Sequence, residues 1–393
     1  MFYTIPENQP KNQQPLKVPS QFDPIRPYEP EELKEVFGRI LADENVQGIV
    51  AMLYPGVPFE AIKEKVYQCR TNLEFQKIFA APFLEGLARK CGDGMEMDSS
   101  AIDINRRYTF ITNHRDIILD SAFLSILLLR AGCSTTTEIA IGDNLLASPW
   151  IEDLVRLNKA FLVQRSLSPR EFLASSKRMA EYMHFAISQK NENIWIAQRE
   201  GRAKDSNDLT QPSILKMMCM GGEGSIKDRL LALHLCPLTI SYEYDPCDYL
   251  KAKEFQLKRD TDYKKSKADD VLSMKTGIYG YKGHIHYHAA PCIDSWLMSL
   301  PDDMPKGEFF DTVARYIDSQ IHRNYRIYPC NRIALDLLQG TDSGTYTTDE
   351  KQHFLAYIES QIAKIDLPDA DLPFLRERII TMYANPLKNK QKA

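Results

Sequence analysis

Apolar residues along this chain follow two different spacings, and the places where the spacing changes mark its parts. From Glu31 to about Cys91 they recur at intervals of three and four: Leu33, Val36, Phe37, Ile40 and Leu41, then Ile49, Met52 and Leu53, then Phe75, Ile78 and Phe79. That period puts one stripe of side chains on one face of a helix, so a helical N-terminal domain is expected over 31–104. Thr71 with Glu74 three residues later reads as a capping-box start, and Pro55-Gly56 breaks the preceding helix. Ahead of this region Met1–Pro30 carries prolines at 6, 10, 15, 19, 24, 27 and 30, which predicts an extended proline-rich arm with little regular structure.

Between Arg106 and Pro291 the period switches repeatedly. Short β-rich runs fall at Tyr108–Thr112, Glu138–Ile141, Asn193–Ala197, Cys236–Tyr244 and His284–His288, with helical stretches at 117–130, 149–160, 169–188 and 249–270. Strands alternating with helices predict an α/β domain over 105–304, a layered, largely parallel sheet flanked by helices. Loops at the carboxyl ends of such strands gather functional groups, and Asn113-His114, Gly142-Asp143-Asn144 and Arg199–Lys204 all fall there. Past Pro305 the helical period returns at Phe309–His322, Asn331–Leu338 and Asp349–Ile365, giving a helical C-terminal extension over 305–393 whose basic tail, Lys388–Ala393, is expected to fray.

Composition narrows the function classes. The 393 residues are 44% hydrophobic and 26% charged, enough apolar material for one large or two ordinary domains. A net charge of −4 argues against nucleic acid as a bulk partner, because phosphate-backbone binding needs a basic field. The eight cysteines are far apart with no Cys-x-x-Cys pair, so reduced thiols and a cytoplasmic setting are expected. No apolar run reaches the roughly eighteen residues of a membrane span, so any membrane contact is expected to be peripheral.

The segment Asn113-His-Arg-Asp-Ile-Ile-Leu-Asp120 leads into the apolar run Ala122–Leu129, which carries a histidine and a carboxylate from a turn into a helix. An imidazole held by a carboxylate can take a proton from a hydroxyl near neutral pH. Two carboxylates compete for that role. On one continuous helix neither Asp116 nor Asp120 would share a face with His114, so a turn must intervene, and Asp120 in the first helical turn is preferred over Asp116. Downstream, Arg156, Lys159 and Arg165 are read as converging near Gly142-Asp143-Asn144, and Arg199-Glu200-Gly201-Arg202-Ala-Lys204 ends a strand in a charged turn. Guanidinium forks suit phosphate oxygens. Other features compete with this reading. His284, His286 and His288 alternate along one strand and could share a metal, which would make the protein a metal-dependent hydrolase. Trp195 reads as core, and Gly221-Gly-Glu-Gly224 as a connection rather than a phosphate loop.

Taken in order, these blocks resemble the glycerophospholipid acyltransferase superfamily, whose members acylate glycerol-3-phosphate, its 1-acyl product or dihydroxyacetone phosphate. Asn113-His114 through Asp120 is similar to the family's first block, Gly142–Arg165 to its second, Glu200-Gly201-Arg202 to its third, and Pro237 with its strand to its fourth. Lys282-Gly283-His284 is similar to the element that closes the catalytic domain, and Pro329–Ala334 to a segment of the glycerol-3-phosphate branch. A helical domain ahead of the catalytic one also resembles the plastid-type enzymes. Five residues separate His114 from Asp120 where the family has four, and Arg202 follows Gly201 directly. The first departure also fits a non-catalytic, lipid- or partner-binding descendant of the fold.

The resemblance implies a His114–Asp120 general-base mechanism without an acyl-enzyme. Backbone amides at the start of the helix would supply the oxyanion donors. Arg165, Arg199, Arg202 and Lys204 would hold the acceptor phosphate, Glu200 would align hydroxyls, and Asn113, Gly142, Asn144 and Gly201 would shape the site. It implies no metal and no cofactor beyond acyl-CoA or acyl carrier protein as co-substrate. It also implies peripheral contact with the inner face of the membrane, through the helix Ile117–Leu129 or through Lys388, Lys390 and Lys392.

Overall fold

A computed structural model describes residues 16–146, 148–165 and 167–393; residues 1–15 of the proline-rich arm lie outside them. Seven strands form one sheet: β1 (Gly94–Asp98), β2 (Thr109–Thr112), β3 (Thr137–Gly142), β4 (Ala160–Val163), β5 (Asn193–Ala197), β6 (Leu235–Tyr242) and β7 (His284–Ala289). Their order is β1-β7-β6-β2-β5-β3-β4. All neighbours are parallel except β6 and β7, so the carboxyl ends of β2, β3, β4, β5 and β6 share one edge with the start of β7.

Every residue of β6 is buried, which accounts for its nearly continuous apolar run: a strand covered on both faces has no polar side to present. Successive residues then serve opposite layers. Ile111, Ile194 and Ile196 pack with the helices Pro169–Ser188 and Lys306–Arg323, whereas Phe110, Trp195 and Leu238 pack with the helices Ala81–Cys91 and Leu119–Arg130. Pro237 lies inside β6 opposite Ile111.

Several expectations need correction. β1 arises inside the stretch read as helical, because its Met-Glu-Met alternation spans too few residues to be seen beside the helices before it. β4 follows the helix Pro149–Leu157 almost directly, so its four residues merge with the helical apolar run. The run at 249–270 is two helices, Asp248–Asp260 and Lys267–Tyr279, the second begun by a Ser266–Asp269 capping box. The arm does not stay extended through Pro30. Phe22 and Ile25 enter the core, and Leu162 N donates to Ile25 O at 2.9 Å along the β4 edge. Nor does the tail fray. The helix Leu372–Lys390 carries it, Asn385 Nδ2 donates to Asp205 O at 2.7 Å, and Lys390 Nζ donates to Tyr325 O at 2.8 Å.

The helix Leu119–Arg130 has nine of its twelve residues buried, so it cannot rest on a bilayer. Among the described residues no helix is long and apolar enough to cross a membrane. All eight cysteines are free thiols.

Candidate active site

The turn between β2 and the helix Leu119–Arg130 absorbs the extra residue of the His-to-Asp spacing. His114 sits in the loop, Asp120 in the helix's first turn, and His114 Nδ1 lies 2.8 Å from Asp120 Oδ2. The His114 side chain is 11% exposed and Asp120 is fully buried. Asp120 is held from several sides: Arg115 N and Asp116 N donate to Oδ2 at 2.6 and 3.0 Å, and the Tyr242 hydroxyl donates to Oδ1 at 3.0 Å. Tyr287 bonds the Asp120 carbonyl at 3.0 Å. The Trp195 ring stands edge-on to His114 with centroids 5.5 Å apart, so a residue read as plain core also walls the imidazole.

Asp116 has a different task. Its Oδ1 accepts from Ile118 N at 2.9 Å and Leu119 N at 2.8 Å, which caps the helix, and it makes no bond to His114. Burial, and then the charge of Asp120, push its carboxyl above the ordinary range. The helix Lys267–Tyr279 presses on this loop through Gly277, where a Cβ would come within 2.0 Å of Asp116 Oδ2. The amides of Arg115, Asp116, Ile118 and Leu119 all donate to these two carboxylates. They are therefore not available to an oxyanion, contrary to the expectation for the start of this helix.

Asn113 is fully buried and braces the sheet instead of facing a ligand. Its Nδ2 donates to Ile240 O at 2.9 Å, and its Oδ1 accepts from Ile240 N at 2.8 Å. Arg115, which sequence reasoning passed over, is buried beside it and pairs with Asp208 at 2.7 Å. An Arg inside the first block carries no spacing signal that separates it from a solvated charge.

Of the basic residues, Arg165, Arg199, Arg202 and Lys204 reach the same edge as His114, on the ends of β4 and β5. Arg165 is exposed and pairs with Glu200 at 3.2 Å, so Glu200 already has a partner. Gly142 ends β3 against them: a Cβ there would meet Asn144 Oδ1 at 2.5 Å and Arg165 Nε at 2.9 Å. Gly201 makes the turn with φ +66, a left-handed conformation that glycine adopts without strain. Arg202 is buried. Burial pulls its guanidinium down, but Cys247, Asp245 and Asp116 hold it above its ordinary value. Lys204 pairs with Glu254 at 2.8 Å and is pushed down to about 8 by burial and then by Arg202. Three donors in this region, Arg199 Nε, Arg202 Nη1 and Gln198 Nε2, are buried with no hydrogen-bond partner. Unpaired buried donors are costly, so they mark where an acceptor group would be stabilised.

Two other basic residues do not join this site. Arg156 donates to Arg26 O and Asp23 O and lies 4.5 Å from the Tyr28 ring centroid, fastening the arm. Lys159 pairs with Glu192 at 2.7 Å at the opposite end of β4. The β7 histidines do not converge either. His284 pairs with Glu243 at 2.8 Å, and His288 lies 3.5 Å from Asp98. In the Gly221–Gly224 connection, Gly221 abuts the backbone of Ala180 and Gly222 the ring of His184. The Pro329–Ala334 patch starts the helix Pro329–Gln339 and packs on the last helix, with Asn331 Nδ2 donating to Tyr383 O at 2.9 Å.

No protein-family model and no curated protein sequence matches this chain. Among solved structures it is similar to the 1-acyl-sn-glycerophosphate (LPA) acyltransferase PlsC of Thermotoga maritima, at 11% identity and a TM-score of 0.39, over 74% of this chain and 97% of that one.

Proposed function

We propose that the protein is an O-acyltransferase that moves a fatty acyl group from a thioester of coenzyme A or acyl carrier protein to a hydroxyl of glycerol-3-phosphate or 1-acylglycerol-3-phosphate. The observation that carries this reading is the His114–Asp120 pair on the sheet edge where the buried, unpartnered donors of Arg199 and Arg202 also end. With Nδ1–H donating to Asp120, Nε2 is left to accept the acceptor's hydroxyl proton. The alkoxide attacks the thioester carbonyl. Collapse of the tetrahedral intermediate expels the thiolate, which takes the proton that His114 carried, so the imidazole returns to its starting state without an acyl-enzyme. Arg199 and Arg202 offer donors to the acceptor phosphate, Arg165 adds charge at the rim, and Lys204, paired with Glu254, lies in the same charged segment.

A lipid product places the enzyme at a membrane surface, as a peripheral protein on the cytoplasmic face. Phe172 and Leu173, exposed on the first turns of the helix that follows Arg165, suit that contact better than the buried helix Leu119–Arg130. The test is a panel of purified full chain with acyl-CoA or acyl carrier protein thioester against both acceptors. Thiol release coupled to acylated phospholipid, lowered about 10³-fold in His114→Ala, is the expected result. Equal transfer by His114→Ala would overturn the reading.

A further inference from the structure

The sheet's other end carries a cluster that the acyl-transfer reading does not use. His234 closes the turn ahead of β6, and Cys292 and Asp294 follow β7, which antiparallel pairing returns to the same place. One imidazole nitrogen, one thiol sulfur and one carboxylate oxygen from these residues all lie within 4.8 Å of one another. His234 Nδ1 is 2.6 Å from Asp294 Oδ2, while Asp294 Oδ1 is buried with no partner. All three side chains are only partly buried, so the cluster is reachable from solvent. A half-exposed guanidinium sits against it: Arg106 Nη2 lies 3.6 Å from Asp294 Oδ2 and 3.4 Å from His234 Nδ1. Positive charge is thus already drawn to the point where the three ligand atoms meet.

We propose that His234, Cys292 and Asp294 form a binding site for a zinc-type divalent ion, with water as the fourth ligand. A mixed nitrogen, sulfur and oxygen set suits zinc, whereas magnesium and calcium favour oxygen alone. On binding, the Cys292 proton leaves to solvent as the thiolate ligates, His234 ligates as neutral imidazole, and Arg106 swings away. The ion ties the turn before β6 to the segment after β7, residues 60 positions apart, on the edge opposite His114. Its role is therefore to fasten the sheet, and the site stands or falls independently of the acyl-transfer reading.

The test uses the purified full chain, stripped by chelator and titrated with Zn2+ against a chromophoric competitor, with bound metal measured by atomic emission. Wild type should bind about one equivalent and gain melting temperature with zinc. Cys292→Ser and His234→Gln should weaken binding at least about tenfold and lose the thermal gain. Co2+ should give a thiolate charge-transfer absorption in wild type that is missing in Cys292→Ser. Arg106→Ala should tighten binding, because it removes the competing cation, and His288→Gln should leave it unchanged. Three results would overturn the proposal: no stoichiometric zinc in wild type, wild-type affinity in Cys292→Ser, or weaker binding in Arg106→Ala. Loss of the zinc in Glu243→Gln but not in Cys292→Ser would assign the metal to the Asp93, Glu243 and His284 group instead.

Discussion

Two histidine–carboxylate pairs stand on the same edge of this sheet, both with Nδ1 2.8 Å from a carboxylate oxygen: His114–Asp120 and His284–Glu243. Their surroundings differ. The His284 side chain is 59% exposed, and its Glu243 partner also holds the His284 backbone amide. Asp120 is sealed from water and receives two loop amides and a tyrosine hydroxyl, and Trp195 walls its imidazole. Distance alone therefore does not separate the proposed acid–base dyad from a surface ion pair. What separates them is a fixed carboxylate in a dry setting, where orientation and tautomer are set before substrate arrives.

The comparison can be broken by experiment, most sharply by deleting each imidazole. His114→Ala should lower kcat about 10³-fold with little change in melting temperature, while His284→Ala leaves acyl transfer at the wild-type rate. Similar losses in both variants would mean that the buried setting confers nothing. A smaller effect should come from Gly277→Ala, which touches neither histidine. Its Cβ would collide with Asp116 Oδ2 and shift the loop that carries His114, for a loss of up to about 10²-fold in kcat at the same substrate affinity. Unchanged kcat in a folded Gly277→Ala protein would show that the loop tolerates displacement. Third comes Arg202→Ala, where loss of a charged donor should raise the acceptor KM about tenfold and spare the KM for the thioester. An unchanged acceptor KM would remove Arg202 from the phosphate subsite.

The mildest test concerns a buried carboxylate away from the site. Asp248 accepts from the Tyr357 and Tyr383 hydroxyls at 2.7 and 2.8 Å, yet burial, and then the charge of Asp245, push it up to about 7. The native carboxyl thus keeps its proton up to about pH 7, while the unfolded one loses it near about pH 4. Between those values the native state binds more protons, so stability falls as pH rises across that window. Denaturant midpoints at the two ends should show wild type losing stability relative to Asp248→Asn. Parallel curves would mean that the group ionises normally.

Much of the architecture was legible because period is a local property. The five strands that alternate with helices and the long helices at 169–188 and 306–323 all announce themselves in apolar spacing. β1 and β4 did not, since four or five residues at a sheet edge carry too little pattern. The site was legible in part for the same kind of reason. His114 and Asp120 lie six positions apart, so a turn and one helical step suffice to pair them, and the helix start decides against Asp116. Tyr242 supports Asp120 from a strand 122 positions away, a relation no local pattern contains. The same holds for Arg156, whose charge suggested a substrate contact and whose partners are carbonyls of an arm 130 and 133 residues earlier.

That arm has a further consequence. β4 is the last strand of the sheet, and the backbone of Ile25 satisfies its outward amide at Leu162, with Phe22 and Ile25 plugged into the adjoining core. A version of the chain trimmed beyond Ile25 would leave the Leu162 amide open next to an apolar socket, the kind of exposed edge that invites pairing with another strand. Residues 22–25 of the proline-spaced segment thus cover part of that edge.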